Sequence, residues 1–307
     1  MRVFAIDIGT NSTLHLVAEV EGNTILTVEQ GIVRNRLGAD IQADGTIDSE
    51  LMDFNRGVMQ NLARHAKMLR CSSIMAMGTH ALRQAKNTHD FIAMSESYGI
   101  PLRILSGAEE AAMAWRGVFG VSTMESKSAD ETNQMALLDI GGGSSELSLG
   151  TVEAPRWSQS IPRGAVSLSR DFFRSDPPSA SDISKATGKV IAEYNHWQGK
   201  IAGNVKLIGI AGTIFSLASL IHDVGEYQAG AVEGKVISYR NVCQWRDDLL
   251  KMKLDERQAL ASMPPARAES IHAGALILAV VMDVLQVAEL TTSERGLLHG
   301  LSLEMAK

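Results

Sequence analysis

Two cysteines in 307 residues, Cys71 and Cys243, leave little room for thiol chemistry. Neither belongs to a CxxC pair, no zinc-ligand spacing is present, and such sparse use fits a reducing compartment. The eight histidines are scattered without His-x-x-x-His spacing, and the isolated His222-Asp223 pair does not make a metal-dependent hydrolase domain. Positive charge is in deficit: 29 Lys and Arg against 35 Asp and Glu give a formal charge of −6. That balance argues against nucleic acid or an anionic membrane as a partner reached by bulk electrostatics. A polyanionic substrate would need locally clustered arginines. Long apolar runs are missing too. The most apolar stretch, residues 273–287, is interrupted by Asp283 and too short to span a bilayer, so it reads as a core helix. No low-complexity segment appears, the first strand starts at once with Arg2-Val3-Phe4, and the expected location is the cytoplasm.

What is present is ordinary for a soluble enzyme, 45% hydrophobic and 21% charged, with length enough for two domains. The chain is organised around residues 135–149. An apolar run delivers Asp139 at an expected strand end, Gly141-Gly142-Gly143 and Ser144-Ser145 follow, and Glu146-Leu147-Ser148-Leu149 reads as the returning strand. Three glycines allow φ > 0 and leave backbone N–H groups uncovered, as an anion nest requires. A tight hairpin would use the same residues. An acid beside such a nest suggests a metal between acid and phosphate.

Repetition separates the readings. Val3 to Leu14 has the same grammar: an apolar strand, Asp7-Ile8-Gly9, small or polar residues with Asn11 and Ser12, then an alternating strand. Two further strands end in Gly78-Thr79 and Gly212-Thr213 and open helices. Thr79 follows Asp7 by 72 residues and Thr213 follows Asp139 by 74. Two elements repeated in order at nearly equal spacing predict two domains of one topology, placed at 1–123 and 124–307. The polar, aperiodic stretch 122–134 reads as the link or a surface loop.

Taken in order, a helix is expected from about Asp48 to Arg70, with Leu51, Phe54, Val58, Leu62 and Leu69 as its buried stripe. Thr79 and Arg83, four apart, share one face of the next helix. Arg83 could hold a second phosphate or stand exposed. Ser106 with Glu109 makes a capping box, which gives Glu109 a structural task. Glu110, next along in the first helical turn, is left without one, and is read either as a general base or as a solvated partner of the helix dipole. In the second half, Pro155 to Ile161 reads as a strand and Ser181 or Asp182 as the cap of a helix running to Gln198. Arg267, after Pro264-Pro265, is placed at the start of the long apolar helix, as an exposed residue or a phosphate ligand.

With Asp7-Ile8-Gly9-Thr10-Asn11-Ser12, Gly78-Thr79-His80-Ala81-Leu82-Arg83, Ser106-Gly107-Ala108-Glu109-Glu110, Asp139-Ile140-Gly141-Gly142-Gly143-Ser144 and Gly212-Thr213 in this order, the chain resembles the exopolyphosphatase/guanosine pentaphosphate phosphatase family nearly end to end. The resemblance implies an α/β fold of two duplicated actin/sugar-kinase-like domains, each with a mixed sheet and a β-β-β-α-β-α-β core, and a site between them. It implies Mg²⁺-dependent (or other divalent-cation-dependent) hydrolysis of terminal phosphoanhydride phosphates from polyphosphate or guanosine pentaphosphate. By the same resemblance Glu110 is the catalytic glutamate, and Asp139, Glu146 and Asp7 are acids near the metal. Asn11, Ser12, Gly141, Gly142, Gly143, Ser144, Gly212 and Thr213 match phosphate-binding turns, and Thr79, Arg83, Arg36 and Arg267 match phosphate-facing polar positions. Leu297-Leu298-His299-Gly300 departs from the Leu-Arg-Glu-Gly of many relatives, and the C-terminal helical domain of longer relatives has no counterpart in this sequence. A nucleotide-dependent kinase of the same superfold and a binding sensor without turnover stand as alternatives, and a homodimer is left open.

Overall fold

Strand pairing starts with an antiparallel meander. β1 (Arg2–Ile8) pairs with β2 (Ser12–Glu21) from Arg2↔Glu19 to Ile8↔Thr13, and β2 pairs with β3 (Thr24–Arg34). β4 (Ser73–Gly78) then joins β1 in parallel and β5 (Leu102–Ile104) joins β4, giving the order β3-β2-β1-β4-β5. A strand with neighbours on both edges and packing on both faces reads as a continuous apolar run. β1 does so, with Val3, Phe4, Ala5, Ile6 and Ile8 all buried. The computed structural model describes residues 1–37, 45–121, 134–201, 205–225 and 230–307, so most of the expected link at 122–134 lies outside the described residues.

The second sheet repeats the first. β6 (Met135–Ile140) and β7 (Ser145–Gly150) are antiparallel, β8 (Pro155–Ile161) extends them, and β9 (Lys206–Ile210) lies parallel to β6. β11 (Glu289–Thr292) is parallel to β9, and β10 (Val236–Ser238) adds an antiparallel edge, so the order is β10-β11-β9-β6-β7-β8. The meander, the parallel crossover and the next parallel strand match one for one. The duplicated α/β architecture with mixed sheets is therefore present.

Three helices of the first unit follow its strands: α1 (Ser49–Met68), α2 (His80–Gln84) and α3 (Thr88–Ser97). α4 (Gly107–Phe119) comes after β5. Asp48 caps α1 by accepting the Leu51 N–H at 2.7 Å. The buried stripe of α1 corrects the expected one. Leu51, Met52, Asn55, Val58, Met59, Leu62 and Ala66 are inside, whereas Phe54 is 51% exposed. At 100° per residue, Phe54 sits about 100° from the centre of that stripe, where Asn55 falls instead. Asn55 is tolerated there because its amide donates to the Leu51 carbonyl at 2.9 Å.

In the second unit α5 (Ala165–Phe172) and α6 (Ala180–Tyr194) precede β9, and α7 (Ala211–Ile221) follows it. The cap of α6 is Ser179, accepting from the Asp182 N–H at 3.1 Å, in place of the expected Ser181 or Asp182. α8 (Tyr239–Leu249), α9 (Leu254–Gln258) and α10 (Pro265–Ala268) lead to α11 (Ile271–Leu285), the expected core helix, nearly all of whose side chains are buried. Arg267 belongs to the short α10 and not to the start of α11, because the helix is interrupted between Ala268 and Ile271.

The chain divides into two compact units, Met1–Glu131 with Val152–Pro155 and Arg295–Lys307, and Thr132–Thr151 with Arg156–Glu294. The expected boundary ran the second domain to Lys307. The last helix, α12 (Leu297–Met305), instead belongs to the first unit, where Leu301 and Leu303 pack with Val3, Ala5 and Leu16. The α4–α12 crossing is backbone on backbone. A Cβ at Gly117 would lie 1.8 Å from the Gly296 carbonyl oxygen, and one at Gly300 would lie 2.0 Å from that of Met113. Arg116 donates to the Leu303 carbonyl at 3.0 Å, and Arg103 pairs with Glu304 at 2.9 Å. Gly300→Ala is therefore expected to force the helices apart and cost about 3 kcal/mol or more. A thermal melt should show Tm lower by roughly 6–12 °C, and an unchanged Tm would mean that the crossing is not tight.

Candidate active site

The first glycine turn is closed by its own backbone. Gly9 N–H donates to the Ser12 carbonyl at 3.0 Å, and in the second unit Gly141 N–H donates to the Ser144 carbonyl at the same 3.0 Å. The duplication thus extends to individual hydrogen bonds. In the first unit Asn11 and Ser12 are buried, and the Asn11 carbonyl accepts from the N–H groups of Asn35 and Arg36. Arg36 takes φ +59°, unusual for a residue with a long side chain, while its side chain remains exposed beside the turn. Parallel pairing of β1 with β4 brings Asp7 and Thr79 to the same end of the sheet, at the C-terminal ends of these two strands. Thr79 is buried, and its hydroxyl donates to the Ile8 carbonyl at 3.4 Å without capping α2.

The second turn uses its glycines differently from the expectation. None of Gly141, Gly142 and Gly143 is among the positive-φ glycines. The close approach here belongs to Gly164, where an added Cβ would lie 2.5 Å from the Gly141 oxygen. Through that contact the Gly141 and Gly142 carbonyls accept from Ala165, Val166 and Ser167 at 2.8–3.1 Å, satisfying the first N–H groups of α5. Ser144 is buried. At the start of α7, Ala211 adopts φ +71°, and the neighbouring Gly212 leaves room for Arg267, whose Cζ would lie 2.1 Å from an added Cβ. Thr213 sits against Gly274 in the same way. Gly212, Thr213 and Arg267 are therefore brought together within the second unit.

Asp139 and Glu146 stand directly opposite each other across β6 and β7. Their carboxylates therefore rise on one face of the sheet, Asp139 half-buried and Glu146 buried, with Glu146 accepting the Ser160 hydroxyl at 2.6 Å. Two opposed carboxylates repel unless a proton or cation lies with them. An all-oxygen, hard donor pair suits Mg²⁺. Asp7 takes the position in β1 that Asp139 takes in β6, opposite Leu14 where Asp139 faces Glu146.

The two adjacent glutamates of α4 separate cleanly. Glu109 and Ser106 form both halves of the capping box, with Ser106 N–H donating to Glu109 at 2.8 Å and Glu109 N–H to the Ser106 hydroxyl at 3.3 Å. Glu110 turns inward and is buried. Its Oε2 accepts from Arg83 Nη1 at 2.6 Å, and the same Nη1 donates to the Leu105 carbonyl at 2.7 Å. Arg83, expected as a phosphate ligand, is thus held against Glu110. Burial pushes the Glu110 carboxyl above its ordinary range, and the Arg83 charge opposes that rise.

Sequence reasoning gave no task to Asn35. Its buried amide donates to the Gly9 carbonyl at 2.9 Å and to Thr13 Oγ1 at 3.0 Å, clamping the first turn. In the second unit the Arg163 carbonyl takes the comparable place, accepting from the hydroxyls of Ser145 and Tyr194 at 2.8 Å each. The Arg163 guanidinium is fixed by Glu193 at 2.9 and 3.1 Å and by Asp171 at 2.7 Å. The available signal was position: both residues follow the third strand of their meander. At the departing Leu298-His299, the structure buries His299 in the first unit, and that burial, with Arg295 adding to it, lowers its imidazole to about 4.

This duplicated topology, with matching glycine turns at strand ends, defines the actin-like class of two-unit α/β proteins. The chain belongs to the Ppx/GppA phosphatase family, whose model matches residues 16–307. It is 29% identical to exopolyphosphatase 2 of Mycobacterium tuberculosis, over 99% of this chain and 98% of that protein. In fold it is similar to the Ppx/GppA family member of Aquifex aeolicus, with a TM-score of 0.83 at 24% identity over 100% of this chain and 97% of the other. It is also similar to an exopolyphosphatase from Cytophaga hutchinsonii, with a TM-score of 0.83 at 23% identity over 99% and 97%. No helix among the described residues is long and apolar enough to cross a membrane.

Proposed function

We propose that this chain hydrolyses the terminal phosphoanhydride of inorganic polyphosphate, releasing orthophosphate, with Glu110 as general base. The observation that carries the reading is the division of labour in α4: Glu109 is consumed by the cap, while Glu110 is buried, raised in pKa and tied to a cation. A base whose pKa is lifted towards neutral transfers a proton more effectively at working pH. Family membership and the similarity to exopolyphosphatase 2 support polyphosphate as the substrate.

Phosphoryl transfer needs positioning and charge neutralisation more than covalent chemistry. In the second unit the Gly141–Ser144 turn, Thr213 on α7 and the Arg267 guanidinium would bind phosphate, and in the first unit the Gly9–Ser12 turn and Arg36 offer the same chemistry. Asp139 and Glu146 of the second unit would hold Mg²⁺, which when bound supplies screening of negative charge, and Asp7 takes the corresponding strand position in the first unit. Arg83 holds the Glu110 carboxylate in place and keeps more of it ionised.

The test is phosphate release from short polyphosphate, long polyphosphate and guanosine pentaphosphate in Mg²⁺, with no acceptor present. Release from polyphosphate is expected; tight binding without release, or transfer only to an added acceptor, would overturn the reading. Arg83→Ala adds a check on the pairing. Glu110 acts as a base only when ionised, so activity falls as pH drops through its folded pKa, which burial holds above the ordinary glutamate range. Without the Arg83 charge that pKa rises further. The acid limb of the kcat–pH profile should therefore move to higher pH in the variant. An unmoved limb would detach Arg83 from the base.

A further inference from the structure

A second set of potential ligands lies away from the glycine turns, in the first unit. His15 on β2, Glu29 on β3 and His65 near the end of α1 place one ligand atom each within 4.8 Å of the others. His15 Nε2 and His65 Nε2 both stand 3.3 Å from the same Glu29 oxygen, Oε1. We infer that these three side chains form a site for a borderline divalent transition-metal ion, zinc above all, that fastens helix α1 to the edge of the first sheet. Nothing in the proposed hydrolysis uses it.

The geometry leaves the three donors converging on a space that a metal ion can share. Both imidazole nitrogens converge on one carboxylate oxygen at 3.3 Å, at the long end of the N–H···O range. Ligands held at about 2.0–2.1 Å around a tetrahedral ion stand about 3.3–3.4 Å apart, which matches the distance from each imidazole nitrogen to Glu29 Oε1, and all three ligand atoms lie within 4.8 Å. The donors also point to the ion: two imidazole nitrogens and one carboxylate suit zinc and its neighbours, whereas Mg²⁺ prefers oxygen alone.

The surroundings hold the donors in place. The His15 ring stacks on Phe4 with centroids 5.1 Å apart, and His65 meets Phe4 edge-on at 5.9 Å. Gly31, opposite His15 in the β2–β3 register, leaves the room for that ring, since a Cβ there would lie 2.1 Å from His15 Cε1. His15 is 7% exposed, so its ring is held inside the unit. Glu29 and His65 are half-open, with side chains 38% and 32% exposed, which leaves an entry path and a face for a water ligand.

The experiment uses the full chain after chelation and buffer exchange, titrated with Co²⁺ as a spectroscopic probe and with Zn²⁺ in thermal melts. Co²⁺ should give the intense visible bands of a four-coordinate nitrogen-containing site at one equivalent. Zn²⁺ at about a hundredfold excess over Kd should raise Tm by about 5–10 °C. His65→Ala and Glu29→Gln, chosen because both side chains are partly exposed, should fold, lose the bands and lose the zinc-dependent rise in Tm. His65→Ala should still release phosphate in Mg²⁺ without zinc. Absent bands in the wild-type chain, or bands and a Tm rise that survive both substitutions, would overturn the site. Survival in the variants would move the ion to other ligands, such as the carboxylates of the second unit.

Discussion

Glu110→Gln is expected to fold normally and to lower kcat by about 10²–10⁴-fold, the range for removal of a general base. The amide keeps the volume of the side chain and can still accept from Arg83, so packing around the start of α4 should hold. What it cannot do is take a proton. Glu109→Gln is the internal control, because it differs by one position and keeps an oxygen able to accept the Ser106 N–H. Its kcat should stay near wild type. Tm belongs beside the rates, since a weakened cap costs about 1 kcal/mol and would mimic a small loss of activity. Normal turnover by Glu110→Gln would sink the proposal, and a dead Glu109→Gln would reverse the two roles.

Asp139→Asn should show activity and stability moving in opposite directions. The substitution removes one of two carboxylates facing each other across β6 and β7. If the pair holds Mg²⁺, phosphate release should fall by about 10²–10³-fold, as it does when a group stabilising developing charge is removed, and the Mg²⁺ needed for half-maximal rate should rise. In metal-free buffer, however, the same change relieves like-charge repulsion, so Tm should hold or rise slightly. Full activity of this variant in EDTA would take the cation out of the account. A large fall in Tm would mark Asp139 as a structural residue.

How legible was this in the sequence? The glycine turns, the strand-ending acids and the α4 glutamates could be read because each is a local signal, with partners within a few residues or at a repeated offset. The paired turns at Gly9–Ser12 and Gly141–Ser144 confirm that the repeat is physical, down to one hydrogen bond. Whatever depends on distant residues was hidden. Arg83 lies 27 residues from Glu110, so an arginine expected to face phosphate gave no sign that it would meet that glutamate. Asn35 becomes a clamp only when β3 returns beside Gly9, 26 residues away. Phe54 was placed inside because it falls three residues after Leu51 and four before Val58, but the buried face is centred on Asn55. The alternation read at Glu146-Leu147-Ser148 also missed that β7 is buried on both faces, which puts a carboxylate in the interior.

The position of α12 bears on how the chain is made. That helix lies in the sequence after the whole of the second unit, yet it packs on α4 and beside β1 in the first. During synthesis, at about 5–20 residues per second, β1 to α4 leave the ribosome early and then wait for about 180 further residues before their last partner arrives. Over that interval of roughly 10–35 s, the surface later covered by Leu301 and Leu303 is open. The segment from β6 to β11 holds all its own strands and can close its core first, so the unit begun second is the one able to finish first.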